Sequence, residues 1–253
     1  MTLPAAFLNT PLAHRALHDV TAGRPENSRA AVRAAVEAGF GIEIDLQLSA
    51  DGKAMVFHDY GLERLTAERG AVRLREASAL TAIPLKGGDE GIPTLEEILD
   101  LVGGRVPLLV EFKDQDGGMG PDVGPLEAAA AKLIGSYRGD LAVMSFNPHS
   151  VRELARLLPD VPRGLTTSAY RPDEWPLPAQ TCDRLRGIPD YAESGSCFIS
   201  HEADDLSRPR VAELKAAGAA VLCWTIRSQA EEDIARQVAQ NLTFEGYLPQ
   251  PRP

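Results

Sequence analysis

The sequence predicts an α/β protein folded as a closed (β/α)8 (TIM) barrel, as one domain over residues 1–253. Three observations carry that expectation. Short apolar strands alternate with helical patterns, as in a parallel α/β fold. About eight such units can be counted, and 253 residues suit a barrel of that kind. The alternative arrangement of the same units is a doubly wound open sheet.

The first strand is short, around Pro11 to Arg15. A helix follows from about Ser28 to Ala38, capped by Asn27 or Ser28, with Val32, Ala35 and Val36 as its apolar stripe and Gly39 at its end. Gly41 to Leu48 is the second strand; Ser49 to Gly52 is a turn, and Lys53 to Phe57 a return strand. Tyr60 to Ile92 has little periodicity and reads as an insertion. Thr94 to Glu97 has capping-box spacing and opens a helix to about Val102. Further strands are expected at Pro107–Lys113, Leu141–Phe146, Val161–Thr166, Ser196–Ser200, Ala219–Ile226 and Asn241–Glu245. Helices are expected at Val123–Ile134, Pro148–Leu157, Arg208–Ala217 and Ser228–Ala239, with a less regular stretch at Trp175–Arg186. The chain stops soon after the last strand, so a full eighth helix is not expected.

Composition narrows the function. The hydrophobic share of 44% is enough for a sizeable core. A formal net charge of -10, with no basic stripe, speaks against nucleic acid and against docking on an anionic membrane. No apolar run reaches the length of a membrane span, and Met1 to Leu12 lacks the pattern of a signal peptide. Cys182, Cys197 and Cys223 are odd in number and form no CxxC, which fits free thiols in a reducing compartment. A cytoplasmic protein with a small-molecule substrate is the expectation.

The chemistry concentrates between His14 and Lys113. In Gly41 to Leu48 the apolar Ile42, Ile44, Leu46 and Leu48 alternate with Glu43, Asp45 and Gln47. Side chains alternate faces along a strand, so Glu43 and Asp45 share one face. In a barrel that face is the interior, where two adjacent carboxylates need a proton or a cation between them. An exposed edge strand with a solvated face is the other reading, and the flanking helices disfavour it. Leu108 to Lys113 repeats the pattern and adds Glu111 and Lys113. Oxygen ligands of this kind suit Mg²⁺ or Ca²⁺ rather than zinc; a Glu111–Lys113 ion pair is the purely structural alternative. His14 and His58 stand at strand ends beside these carboxylates and suit proton transfer, whereas His18, His149 and His201 lack such a setting.

His14-Arg15, Pro25-Glu26-Asn27-Ser28, Glu43-Ile44-Asp45, Asp51-Gly52, His58-Asp59 and Glu111-Phe112-Lys113 follow one another in an order and spacing similar to those of glycerophosphodiester phosphodiesterases. Cys223 to Ile226 and Asn241 to Gly246 resemble that family's last two strands. The resemblance implies a barrel with a small insertion after the second strand and one divalent metal ion, Mg²⁺ or Ca²⁺, on Glu43, Asp45 and Glu111. It further implies His14 and His58 as the acid–base pair, Arg15 and Lys113 as phosphate contacts, and Trp224 in the pocket wall. Alternation leaves Trp224 open, because Leu222 and Ile226 fall on its face. The implied reaction is hydrolysis of a glycerophosphodiester to sn-glycerol 3-phosphate and an alcohol. No serine or cysteine nucleophile accompanies the motifs, so the glycerol 2-hydroxyl is a candidate nucleophile. Departures from the family pattern are Ala16 where glycine is usual, a longer loop at Leu17–Arg24, and Ser28 where threonine is common. The rivals are a related barrel enzyme acting on lysophospholipid or sphingolipid diesters, and a catalytically silent barrel that binds a phosphorylated ligand. The intact set of site residues opposes the second.

Overall fold

The structure is a computed structural model and describes residues 1–250. In chain order the strands are β1 (Leu12–Ala13), β2 (Gly41–Leu48), β3 (Ala54–Val56), β4 (Leu108–Phe112), β5 (Leu141–Ser145), β6 (Arg163–Thr167), β7 (Phe198–Glu202), β8 (Ala220–Ile226) and β9 (Asn241–Phe244). β3 folds back antiparallel on β2. The other eight pair in parallel, and β1 pairs with both β2 and β9, which closes the ring. The barrel predicted from the strand–helix alternation is therefore the observed fold.

The helices are α1 (Ala6–Asn9), α2 (Arg29–Ala38), α3 (Ala77–Thr81), α4 (Leu95–Val102), α5 (Pro125–Ile134), α6 (Pro148–Leu157), α7 (Ala179–Arg186), α8 (Pro209–Ala216) and α9 (Gln229–Ala235). Local chemistry sets their ends. Ser28 Oγ accepts from Ala31 N–H and caps α2, and Gly39, at φ 74°, closes it. Thr94 and Glu97 form the capping box of α4.

Several boundaries differ from the sequence expectation, each for a local reason. β6 starts at Arg163 rather than Val161 because Pro162 lacks an N–H and offers only its carbonyl, to Val143 N–H. β7 starts at Phe198 because residues 194–196 close a turn through Ser196 N–H to Tyr191 O. α9 stops at Ala235, where the next residues tighten into i→i+3 turns. Among the described residues no helix follows β9. Phe40 and Tyr247 instead cover Phe244, with ring centroids 4.9 Å and 5.9 Å away.

Two apolar layers hold the ring. Ile42, Ile44 and Leu46 of β2 join Val110 and Phe112 of β4 in the layer between strands and helices. Inside the ring, Leu12, Leu109, Ala142, Met144, Phe198 and Leu222 pack with Phe7 from α1 and plug one end. Asn241 fastens α1 there, its side-chain amide donating to Phe7 O and Thr10 O. The insertion between β3 and α4 has a small core of its own, including Phe57, Leu62, Val72, Leu80 and Ile92. Asp51 at the hairpin turn ties it down, accepting from Ala77 N–H at 2.8 Å.

The plug depends on Gly164. A Cβ there would lie 2.5 Å from the Phe198 ring, which fills the space a side chain would need. Gly164→Ala should therefore destabilise by ~1–3 kcal/mol, as overpacking of a tight core does. A melting temperature lowered by several degrees in differential scanning calorimetry is the expected outcome; an unchanged one would show that the interior end is loosely packed.

Candidate active site

The interior layer opposite the plug is acidic. In the β2–β4 ladder Asp45 lies opposite Glu111, and Glu43 stands one pleat earlier on the same face. All three are buried, at 2%, 1% and 5% exposure for Glu43, Asp45 and Glu111. Each presents an oxygen, and the three oxygens lie within 4.8 Å of one another. Oxygens on opposite sides of one Ca²⁺ stand at most ~5 Å apart, so the spacing fits a single hard cation. Lys113 Nζ reaches in from the end of β4, 2.8 Å from Asp45 Oδ1 and 2.5 Å from Glu111 Oε1. The anticipated Glu111–Lys113 pair is thus present, but as part of a larger cluster.

Three carboxylates against one ammonium leave surplus negative charge out of water. Burial, reinforced by the charges of Asp45 and Glu111, pushes the Glu43 carboxyl well above its ordinary value. Burial also works against ionising Asp45, yet Lys113, His58 and Arg15 together hold it well below the usual carboxylate range. Lys113 is desolvated too, but Asp45 and Glu111 keep it protonated and raise it above the ordinary lysine value. The cluster is therefore set to take up positive charge, as a proton or as a cation.

The turn after β1 carries His14 and Arg15 across the mouth of the ring. Arg15 and Ala16 have φ of 53° and 65°, a left-handed stretch in which glycine would be unstrained. Two bonds to one residue fix the turn: Arg15 N–H donates to Glu43 Oε2 and Ala16 N–H to Glu43 O, both at 2.9 Å. The Pro25–Ser28 motif now divides into separate tasks. Glu26 accepts from Arg15 Nη1 at 2.9 Å. Asn27, buried and with φ of 57°, donates to Asp45 Oδ2 at 2.9 Å. Ser28 caps α2.

Each histidine is backed by an acid on Nδ1. Glu245, just past β9, lies 2.6 Å from His14 Nδ1; Asp59 lies 2.6 Å from His58 Nδ1. A carboxylate there fixes the tautomer and leaves Nε2 to act. Burial lowers the His14 imidazole against the pull of Glu245. The hydrogen bond from His14 in turn holds Glu245 well below its ordinary value. Glu245 also takes Arg227 at 2.8 Å and has His18 Nε2 at 3.6 Å, so His18 stands at the rim. His201 is fully buried between Thr167 and Asp205, away from the site.

His14, Arg15, Glu43, Asp45, His58, Glu111, Lys113 and Trp224 all line one cavity of about 160 Å³. Every residue singled out from the sequence as a site residue is thus brought together. Trp224 stands in the wall, its Nε1–H donating to Ser200 O at 3.0 Å. The irregular pairing between Cys223 and Ile226 separates it from Ile226, which packs in the layer beneath the helices. The expectation from simple alternation that Ile226 shares its face is therefore wrong. Glu245 and Arg227 had no assigned place in the sequence reading. Glu245 is one of 36 acidic residues, and its partner is 231 positions away.

The barrel mouth thus gathers a buried acidic triad, two acid-backed histidines and two basic side chains on one cavity. Residues 14–242 match the model of the glycerophosphoryl diester phosphodiesterase family. The chain is 29% identical over 214 residues to YhdW of Bacillus subtilis, covering 81% of this chain and 82% of that one. It is 33% identical over 162 residues to a glycerophosphodiester phosphodiesterase of Caldanaerobacter subterraneus, covering 60% and 65%. The fold superposes on a phosphodiesterase of Oleispira antarctica, solved with the product sn-glycerol 3-phosphate. That match has a TM-score of 0.77 and 24% identity, over 95% of this chain and 94% of that one. The chain belongs to the glycerophosphoryl diester phosphodiesterase family, and it is a hydrolase.

The Glu245–His14 contact is open to test. Glu245→Gln keeps the shape but turns an ionised acceptor into a neutral amide that can present its NH₂ to Nδ1. Losing such a supporting group typically costs ~10–100-fold in activity. We expect kcat to fall by that order with the melting temperature nearly unchanged; wild-type kcat in the variant would show that His14 needs no support from β9.

Proposed function

We propose that the chain hydrolyses glycerophosphodiesters to sn-glycerol 3-phosphate and an alcohol, with a divalent cation on Glu43, Asp45 and Glu111 and with His14 and His58 exchanging protons. The single observation that carries this reading is the pair of histidines, each held at Nδ1 by a carboxylate, on one cavity with the buried acidic triad. The product found in the Oleispira antarctica phosphodiesterase supports the same product here.

The triad suits Mg²⁺ or Ca²⁺, since all its ligand atoms are hard oxygens. Such an ion, when bound, neutralises charge that grows on phosphoryl oxygens as the bond to phosphorus changes. The chain's own side chains do the rest. Arg15 gives Nη1 to Glu26 and lies with Nε 3.6 Å from Asp45, and its guanidinium lines the cavity, where it would meet a phosphate oxygen. Lys113 is held by Asp45 and Glu111, and a cation on those two acids would leave its ammonium to the substrate. One histidine takes the proton of the attacking hydroxyl and the other protonates the leaving alcohol, each step contributing ~10²–10⁴-fold.

Serine and cysteine are missing from the cavity wall, where the hydroxyl-bearing residues are Thr225 and Thr243. The attacking group in this reading is the glycerol 2-hydroxyl of the substrate itself. An internal hydroxyl gains an effective concentration of ~10⁵ M or more when well oriented. Water then opens the five-membered cyclic phosphate with the histidines in exchanged roles. We place the protein in the cytoplasm, because its three cysteines are buried and unpaired, as suits a reducing compartment.

Turnover of a glycerophosphodiester panel, followed by release of sn-glycerol 3-phosphate, tests the reading. Activity should vanish in EDTA and return with Mg²⁺ or Ca²⁺, and Glu111→Gln should need far more metal to reach half-maximal rate. Undiminished turnover of that variant in EDTA would sink the metal site; binding of the diester without turnover under any metal would make the barrel a silent binder.

The internal nucleophile makes a separate forecast. A 2-deoxy diester should bind with little loss yet turn over at least ~100-fold more slowly, given the effective molarity at stake. Equal rates for deoxy and natural substrates would mean that water attacks directly.

A further inference from the structure

The insertion sends one basic side chain back toward the barrel mouth. Leu62 and Thr66 are buried at the two ends of a turn, which Thr66 closes by donating N–H and Oγ–H to Leu62 O at 3.0 Å and 2.8 Å. Lys86 grips the same turn from across the insertion, its Nζ donating to Glu63 O at 2.6 Å and to Arg64 O at 3.1 Å. The turn is braced from both sides, so the backbone of Arg64 is fixed while its side chain extends away from the insertion core.

Among the described residues the Arg64 guanidinium gives four hydrogen bonds, all to two carboxylates. Nη1 and Nη2 donate to Glu26 Oε2 and Oε1 at 2.7 Å and 2.8 Å. Nε and Nη2 donate to Asp59 Oδ2 and Oδ1 at 2.6 Å and 2.8 Å. Both contacts are bidentate, and a planar fork of this kind is something an ammonium cannot reproduce. The same two acids hold two groups of the site. Glu26 Oε1 accepts from Arg15 Nη1 at 2.9 Å, and Asp59 Oδ1 lies 2.6 Å from His58 Nδ1. Arg64 itself is not part of the wall of the acidic cavity, so any influence on the site passes through Glu26 and Asp59.

Charge points the same way. Burial opposes ionising Glu26, yet the hydrogen bond from Arg64, with help from Arg15, holds its carboxyl below the ordinary value. Burial opposes ionising Asp59 as well, and hydrogen bonds from His58 and Arg64 hold it well below the usual carboxylate range. Arg15 and Arg64 together match the charge of the two acids. Without Arg64, one carboxylate charge would be left over between Arg15 and His58, and each acid would lose two of the donors that orient it.

We propose that Arg64 is a positioning residue that couples His58 to Arg15 through Asp59 and Glu26, so that the docked insertion completes the active site. This rests on the hydrolase reading above and adds a residue to its machinery.

The test assays Arg64→Ala, metal-loaded, on a glycerophosphodiester that the wild type turns over. Loss of a supporting group of this kind typically costs ~10–100-fold, and kcat/KM should fall by that order. Both parameters should move, kcat through His58 and KM through Arg15. The Arg64 side chain is 46% exposed, so a small ion can enter the gap it leaves. Added guanidinium, which has the same planar fork, should restore activity several-fold; methylammonium at equal ionic strength should not. Wild-type kcat/KM in Arg64→Ala overturns the proposal, as does rescue by both ions alike or by neither. If Arg64→Ala does not fold, Arg64→Lys carries the test: it keeps the charge and most of the stem but cannot grip both acids, so kcat/KM should again fall, and wild-type activity overturns the proposal. If the wild type hydrolyses no diester, the hydrolase reading fails, and NMR of the protein with ¹⁵N-labelled histidine still decides this inference. Arg64→Ala should then shift the His58 Nδ1 resonance and guanidinium should return it; a resonance that does not move overturns the coupling.

Discussion

The crowding of Glu43, Asp45 and Glu111 around Lys113 is the interaction on which the rest of the site depends. Three acids at 5% exposure or less cannot all stay ionised inside a barrel without positive charge close by. Lys113 supplies one charge and Arg15, with Nε 3.6 Å from Asp45, part of another. The neighbouring backbone serves the same end. Glu43 accepts two N–H groups from the turn that carries His14, so the acid that most needs stabilising also positions the first histidine. Asn27 fixes Asp45, and Glu26 fixes Arg15. A change in the charge of the triad would therefore be felt at His14, at Arg15 and in the loop before α2 together.

This dependence explains the division of the barrel interior. One end is closed by Phe7, Leu12, Leu109, Phe198 and Leu222, which contribute stability through burial and close packing. The other end is polar, with buried hydroxyls of Thr166, Ser200 and Thr243 that have no hydrogen-bond partner among the described residues. Such groups oppose stability unless water or ligand meets them. The apolar plug and the layer between strands and helices offset them, and the acidic mouth can be kept because the plug is dense.

The sequence made the first half of the site legible and the second half far less so. β2 was readable to the residue, because Ile42, Ile44 and Leu46 alternate with Glu43, Asp45 and Gln47 without interruption. The caps of α2 and α4 were readable because Ser28, Gly39, Thr94 and Glu97 act on backbone groups three or four positions away. Glu245, Arg227 and the cluster of Phe146, Trp175 and Trp224 were not, since their meaning comes from contacts far along the chain. Phe146, Trp175 and Trp224 belong to three different segments, and their rings meet only once the ring of strands has closed. The irregularity in β8 was also invisible: alternation put Ile226 beside Trp224, whereas the skipped pairing turns Ile226 toward the helices.

Ala16 shows how a departure in sequence can leave a site whole. With φ of 65° it sits where glycine avoids a clash of Cβ with the carbonyl oxygen, at a cost of roughly 1–2 kcal/mol for another residue. The methyl group is buried at 1% exposure as part of the main apolar core, which returns part of that cost as buried apolar surface. The N–H of Ala16 still reaches Glu43 O, so the turn keeps its anchor. The strain is thus met by the same bond that joins the turn to the acidic cluster, and His14 and Arg15 stay at the mouth with the geometry the cluster imposes.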